Sequence, residues 1–441
     1  MRLSNYSSKF SKKQIILLSI PVFFSNLAIP LVGIVDTGLM GNLGETKYLA
    51  ATSIATSVMT MVIWSFGFLR MGTVGMVSQA LGQNNYHEIL NIVLRNILFV
   101  LIISALILIS QLFILSLSFK IFNLSELTRE FYTQYFKIRI YSAPGELTLY
   151  VITGLFVGLQ KTKVSSLAVG FFSILNIFLS IILVSKFDLN IRGVAYGTLF
   201  SALVTSIIFL IYTFNYLSKF TTIKIDLSKL LNLEKMKEIF NINFDILIRT
   251  ILLTFSFLWF TYLGTQIGED YVGANAILIN LVFLSAFILD AYAFSTEGMI
   301  GYSLGKKDLK LFKSIVKNSF ILSSLTGFFI SIIYFFINES VINLMSDIEE
   351  IRKLSLSYVI WLILLPFIAS FCYQFDGIFI GSSQTKELRN AMIFSVSCYL
   401  LISIILTKYL FNTGVWISLC LFMIIRGVSL FYYLNRIYKR F

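Results

Sequence analysis

Acids set inside apolar runs are the residues of this chain that could do chemistry, and the first is Asp36. It lies in the run from Ile15 to Gly41, which is long enough to cross a bilayer and also contains Pro21 and Pro30. A carboxylate at that depth costs about 3 kcal/mol on insertion scales, so it marks an ion or substrate path. Pro30, upstream, breaks the helical hydrogen-bond ladder and frees carbonyls near the acid. These features predict a protonatable or cation-binding carboxylate on a bent helix. A second reading stands beside the first: Gly38, Gly41 and Gly44 follow the acid, and a helix that ends early would leave Asp36 at the outer interface.

Other polar residues cluster by spacing. Asn176 and Ser180 are one helical turn apart and share a face, so with Thr198 they could line a polar pocket facing Asp36. Hydrogen bonding to a neighbouring helix explains each of them equally well. Further on, Asp290 and Glu297 are two turns apart on one face of an apolar run that Asn275 begins. Two acids on one face suit a cationic substrate, a coupling ion or a shared proton. Asp245 and Arg249 have the spacing of a neutralising pair and are assigned to structure. Arg70 needs a buried acid, and Glu146 is the nearest candidate; Asp376 is left open between structure and function.

The elements that must position these residues follow from composition. The 441 residues are 57% hydrophobic and 13% charged, with a mean hydropathy of +0.85, which no soluble core could hide. The chain is therefore an all-α polytopic membrane protein. Runs such as Ile97 to Phe119 lack the alternation of an outer-membrane barrel. The net charge of +13 falls in short loops between the runs, where it sets orientation, and no nucleic-acid partner is implied. Cys372, Cys398 and Cys420 stand singly in apolar runs, with no metal or disulfide spacing, and no cofactor is indicated.

Twelve segments are long enough to span: 14–40, 48–80, 91–118, 131–158, 164–185, 192–217, 238–263, 271–303, 311–337, 353–381, 390–410 and 414–436. Lys9, Lys12 and Lys13 before the first run resemble a signal peptide, but the run carries Asp36 and is followed by many spans, so it is kept as the first helix. The Lys and Arg bias of the loops places both termini in the cytoplasm of a cell whose inner (plasma) membrane holds the chain. The polar stretch 219–237 is the one plausible linker between halves 1–218 and 238–441. Its Leu227, Leu230, Leu231 and Leu233 alternate with charges, which suits either a membrane-surface helix or a solvated connector.

The halves repeat each other at an offset of about 223 residues. GLFVGLQKTK (Gly154 to Lys163) lies over GIFIGSSQTK (Gly377 to Lys386), Gly75 and Gly82 over Gly298 and Gly305, and Gly44-Glu45 over Gly268-Glu269. Six spans per half make the repeat parallel, with a central cavity expected between two six-helix pseudo-symmetric lobes.

Enzyme chemistry finds little support. Gly301-Tyr302-Ser303-Leu304-Gly305 spells GxSxG, but a nucleophile elbow needs a strand before it and a His after it, and the single histidine, His87, lies upstream. No phosphate-cradling GxxxxGK[ST] is present, so an ion gradient must supply the energy.

The stretches IPLVGIVDTGLMGNLG (Ile29 to Gly44), FLRMGTVGMVSQALG (Phe68 to Gly82), GANAILINL (Gly273 to Leu281) and LDAYAFSTEGMIG (Leu289 to Gly301) carry a family resemblance over essentially the whole chain. It resembles the multidrug and toxic compound extrusion (MATE) transporters, and among them the DinF type. That resemblance implies twelve helices in two lobes, alternating access, and export of organic, often cationic, compounds in exchange for protons or sodium. The family's first-helix acid falls on Asp36, its fifth-helix Asn on Asn176 and a sixth-helix Thr on Thr198. The acid that many members carry four residues after the Asn is replaced by Ser180, which leaves fewer anionic ligands for sodium and tilts the expectation toward protons. The acids of the eighth helix fall on Asp290 and Glu297, with Ala291 where a Gly is common.

A drug/cation antiporter is the leading expectation, with Asp36, Asn176, Ser180 and Thr198 coupling the ion and Asn275, Asp290 and Glu297 meeting the substrate. The alternatives are a flippase for lipid-linked saccharides, which would need several cavity arginines for pyrophosphate, and a membrane-embedded enzyme or scaffold.

Overall fold

The computed structural model describes residues 11–43, 46–122, 124–222 and 230–441. Lys9, Gly44, Glu45 and Leu227, named above, lie outside them, as does most of the polar stretch between 222 and 230. Among the described residues there is no strand, and eleven helices are long and apolar enough to cross a membrane. They are α1 (Lys12–Gly41), α2 (Tyr48–Gly82), α3 (Tyr86–Ile109), α4 (Glu126–Gly158), α5 (Thr162–Ser185), α6 (Asn190–Leu217), α7 (Leu233–Ile267), α8 (Glu269–Gly305), α9 (Leu309–Met345), α10 (Val359–Gly381) and the 54-residue run Thr385–Tyr438.

That last run is two helices. At Phe411 the backbone leaves helical angles (φ 49°, ψ −132°). The rings of Tyr399 and Phe422 lie 5.2 Å apart, and Arg436 meets Glu387 at 3.0 Å, distances that a straight helix rising about 1.5 Å per residue could not give. The chain folds back into α11 (385–410) and α12 (412–438), which restores the twelve expected spans.

Three local expectations differ from the structure. Helix α1 runs unbroken through Pro21 and Pro30, so the expected break before Asp36 is absent; a bilayer core offers freed carbonyls no water, and the run stays helical across the missing N–H. The second span is instead interrupted at 65–67, between Thr46–Trp64 and Phe68–Gly82, where Gly67 lies. The tenth begins at Val359, because the preceding Glu349–Ser357 is a separate short polar helix. Gly301 to Gly305 lie within α8, so GxSxG there is helix packing and not an elbow.

The helices are polar inside and apolar outside, as a lipid solvent demands. On α5 the buried residues are Thr162, Ser165, Ala168, Ser173, Asn176, Ser180 and Val184, while Ile174 and Phe178 face outward. On α6 Thr198, Ser201 and Thr205 are buried, and Phe200, Ile207 and Ile211 are exposed. Small residues let these faces approach. A Cβ on Gly197 would lie 2.5 Å from Ser180 Oγ, and one on Gly193 2.9 Å from Val184, so a G-x-x-x-G step on α6 seats α5.

Contacts divide the chain into two compact units, Phe24–Phe240 and Asn241–Phe441, the second joined by the described residues up to Phe23. In that second unit the Ser19 and Ser295 hydroxyls meet at 2.8 Å. Each unit has the same internal register. In the first, Cβ atoms on Gly154 and Gly158 would press on the carbonyls of Arg70 and Val74; in the second, those on Gly377 and Gly381 would press on the carbonyls of Ala293 and Glu297. The left-handed residues repeat likewise: Asn84 with Lys307, Gln160 with Ser383, and Asp188 with Phe411. All of these pairs share the offset of about 223 residues found in the sequence.

Candidate functional site

In the Phe24–Phe240 unit, Asp36 is 6% exposed, so its carboxyl points neither to lipid nor to bulk solvent. The helix continues past it to Gly41. Asp36 Oδ1 has no hydrogen-bond partner, and the carboxyl faces the Ser180 hydroxyl, with Arg139 within electrostatic reach.

Ser180, Asn176 and Thr198 form one directed chain. Ser180 donates to Asn176 Oδ1 at 3.4 Å, Asn176 Nδ2 donates to Thr198 Oγ1 at 2.9 Å, and Thr198 donates to the Val194 carbonyl at 3.3 Å. Ser180 can accept from a protonated Asp36 while it donates to Asn176, or turn its hydrogen from that long contact to the carboxylate, so one hydroxyl serves both states of the acid. The seam of α5 and α6 thus brings together all three polar residues singled out beside Asp36.

Behind this pocket lies an ion pair that the spacing of residues had assigned otherwise. Glu146 accepts from Arg139 through both guanidinium nitrogens, one at 3.2 Å, and from the Ser142 hydroxyl at 2.6 Å. Glu146 is therefore a counter-ion of Arg139. The pair bridges the 3-10 turn Ile140–Ser142 within α4, just before Pro144. Arg139 and Glu146 are two turns apart, the same-face spacing that singled out Asp290 and Glu297, and that signal could have found them. Tyr135, buried beside Arg139, hydrogen-bonds Thr56 at 3.1 Å.

The second unit holds more charge. Asp290 is half-buried and Glu297 is 1% exposed on α8. Asp290 stands within electrostatic reach of Cys372 and Tyr373 on α10, and the neighbouring Thr296 hydroxyl donates to Gln374 at 3.2 Å. Asn275 is in a different place: its Nδ2 donates to Asn412 at 2.7 Å, and its Oδ1 accepts from Asn412 at 3.0 Å and from Trp416 Nε1 at 2.8 Å. That clasp ties α8 to the start of α12.

The expected pair of Asp245 with Arg249 is replaced. Arg249 and Arg426 both donate to Asp376 Oδ2, while Asp245 takes Arg389 at 2.6 Å and Thr385 at 3.1 Å. Neighbours one turn apart on α7 look outward to different helices, and each buried charge finds a closer partner across the interface than along its own helix. Asp376, 5% exposed between two guanidiniums, is a structural charge centre.

The relatives agree with this architecture. The MatE family model matches residues 21–182 and again 246–409, once in each half. DNA damage-inducible protein F of Escherichia coli K12 is 30% identical over 94% of this chain and 90% of its own length. Multidrug export protein MepA of Staphylococcus saprophyticus is 24% identical over 68% of this chain and 66% of its own. In fold, the chain superposes on a point mutant of the Vibrio cholerae MATE transporter VcmN with a TM-score of 0.84, at 19% identity over 97% of both chains. A MOP superfamily transporter from Pyrococcus furiosus gives 0.86, at 19% identity over 97% and 96%. With its sequence matched in both halves and its helices laid out as in those transporters, the chain belongs to the MatE family of membrane transporters.

Proposed function

We propose that this protein is a secondary antiporter that exports organic, often cationic, compounds across the plasma membrane by alternating access and takes protons in return. In this reading both termini are cytoplasmic, and 1–218 and 238–441 act as the two lobes joined by 219–237. The observation that carries it is Asp36: one buried acid with an unpartnered oxygen, served by a hydrogen-bond chain with room for one more donor. When Asp36 holds a proton, the pocket with its Arg139–Glu146 pair is neutral; when it does not, the pocket carries one negative charge. Taking up and releasing that proton changes the charge of the pocket by one unit, and exchange requires this change to be coupled to binding of the substrate at its own site.

The multidrug export named for the MepA relatives supports the substrate class. Asp290 and Glu297 supply the anionic face for a cationic substrate, with Asn275 bracing their helix. The buried arginines Arg95, Arg139, Arg249 and Arg426 are each paired with a carboxylate, which tells against a pyrophosphate-binding flippase. The test is substrate-driven proton movement in proteoliposomes containing a trapped pH dye. Adding a fluorescent organic cation on one side should move protons the other way, at a rate unchanged when sodium is replaced by choline. Flux that requires sodium, or no flux with any of a panel of organic cations, ends the reading.

A further inference from the structure

The second unit carries a groove that the exchange reaction does not use. We propose that it is a phospholipid site, in which an acyl chain lies along the groove and an anionic head group meets Lys313 and Lys317 at its mouth. The proposal stands apart from the antiporter reading, and its test needs no transport.

Helices α9, α10 and α12 wall the groove, which holds about 610 Å3 and is lined by apolar side chains. On α12 the lining runs from Met423 to Tyr438, about 22 Å at 1.5 Å per residue. That length matches one leaflet, about 15 Å of hydrocarbon with its head-group layer beyond. Phenylalanines set the walls in register. The ring of Phe320 on α9 lies 4.8 Å from that of Phe375 on α10, which in turn lies 6.2 Å from Phe431 on α12. The edge is open, since Phe371, Val428 and Phe431 are exposed. Gly427 makes the floor, and a Cβ there would meet nothing nearer than Cys372 at 3.9 Å. Packing therefore does not demand this glycine, and the repeat has Val204 in its place; the missing side chain keeps the space open.

The room suits a hydrocarbon chain and not a helix. Spread over 22 Å, 610 Å3 gives a section of about 30 Å2, against about 80 Å2 for a helix about 10 Å across, so a helix of a second copy does not fit. The mouth supplies the sign of the head group. Lys313 Nζ lies 5.8 Å from the ring of Tyr438, and Lys317 follows one turn along α9. The two lysines flank the face on which Val316 and Phe320 line the groove. Both are exposed, and among the described residues neither pairs with an acid. A second groove, of about 520 Å3 on the other side of α12, has a neutralised mouth: Arg436, 5.0 Å from the ring of Tyr433, is taken by Glu387 at 3.0 Å. Basic side chains near a helix end snorkel to the head-group level, where each strengthens binding of an anionic lipid about fivefold. Phe375 and Gly427 stand next in the chain to Asp376 and Arg426, so the lipid braces the two helices that this ion pair joins.

The test uses the full chain, delipidated in detergent, and counts by native mass spectrometry the lipids retained when phosphatidylglycerol or phosphatidylcholine with the same acyl chains is added. One phosphatidylglycerol should bind about twentyfold more tightly than phosphatidylcholine. The K313Q/K317Q double variant should lose most of that preference, and Gly427→Leu should lose the tight phosphatidylglycerol with both lysines in place. Arg436→Gln, at the second groove, should change neither. Phosphatidylglycerol with a diazirine in its acyl chain should label the segments around Phe371 and Ile424 in the wild type and not in G427L. If G427L does not fold, K313Q/K317Q decides alone. Equal binding of the two lipids by the wild type, a preference that survives K313Q/K317Q, labelling that G427L leaves unchanged, or a dimer that keeps lipid out of the groove overturns the proposal.

Discussion

Asn176 is the hinge of the chain that serves Asp36, because its amide both accepts from Ser180 and donates to Thr198. Asn176→Ala takes the acceptor from Ser180 and the donor from Thr198 in a buried seam and should destabilise the protein by about 1–3 kcal/mol, read as an earlier thermal transition in detergent. Thr198→Val breaks a single link and should do less. The burial of Asp36 was legible from sequence, since an acid in a bilayer-length run is costly unless protein surrounds it. The partners of the arginines were not, because spacing along one helix says nothing about the helix across the interface. Thus Arg249 passes over Asp245 for Asp376, and Glu146 goes to Arg139.

Helices here are held at distances set by glycine. Gly381 lies against the Glu297 carbonyl so closely that a Cβ has no room, and the atom it would strike is backbone, which cannot turn aside. Gly381→Ala should push α10 from α8, cost about 1–3 kcal/mol and disturb the seat of Glu297, visible as a fall in transport at unchanged expression. Phe411 tests the opposite sign. It holds a positive φ that a bulky side chain resists, and its side chain is exposed. Phe411→Gly should raise stability by about 1 kcal/mol, measured by thermal unfolding, with the α11–α12 turn preserved by the Asn275 clasp. At this scale GLFVGLQKTK over GIFIGSSQTK was informative, since it marked the same two glycines and the same left-handed turn that the structure repeats. Pro30 misled, because the loss of one N–H does not end a helix whose surroundings offer no other hydrogen-bond partner.

The two halves of the molecule keep a common backbone and have parted in charge. Asp376 falls at the position of Thr153 in the repeat, and Arg426 at that of Leu203, so the second half has acquired an arginine-bound acid where the first is neutral. Asp376→Asn would leave two buried guanidiniums without their carboxylate and should cost about 3–5 kcal/mol, a loss of folded protein and not of coupling. The first half instead retains a carboxylate whose partners are neutral hydroxyls and an amide, with Arg139 already paired behind it. Twelve spans, their faces and the repeat could be read from hydropathy and glycine spacing. Which half keeps a free acid could not, because that depends on contacts between helices far apart in sequence.

Exchange driven through Asp36 is the claim on which these relations converge. The most direct measurement is uptake of a fluorescent organic cation into proteoliposomes under an imposed pH gradient, with Asp36→Asn beside the wild type and binding of the same cation measured on both. Gradient-driven accumulation should vanish in D36N while the cation still binds at Asp290 and Glu297. Accumulation in D36N that still follows the pH gradient would contradict it.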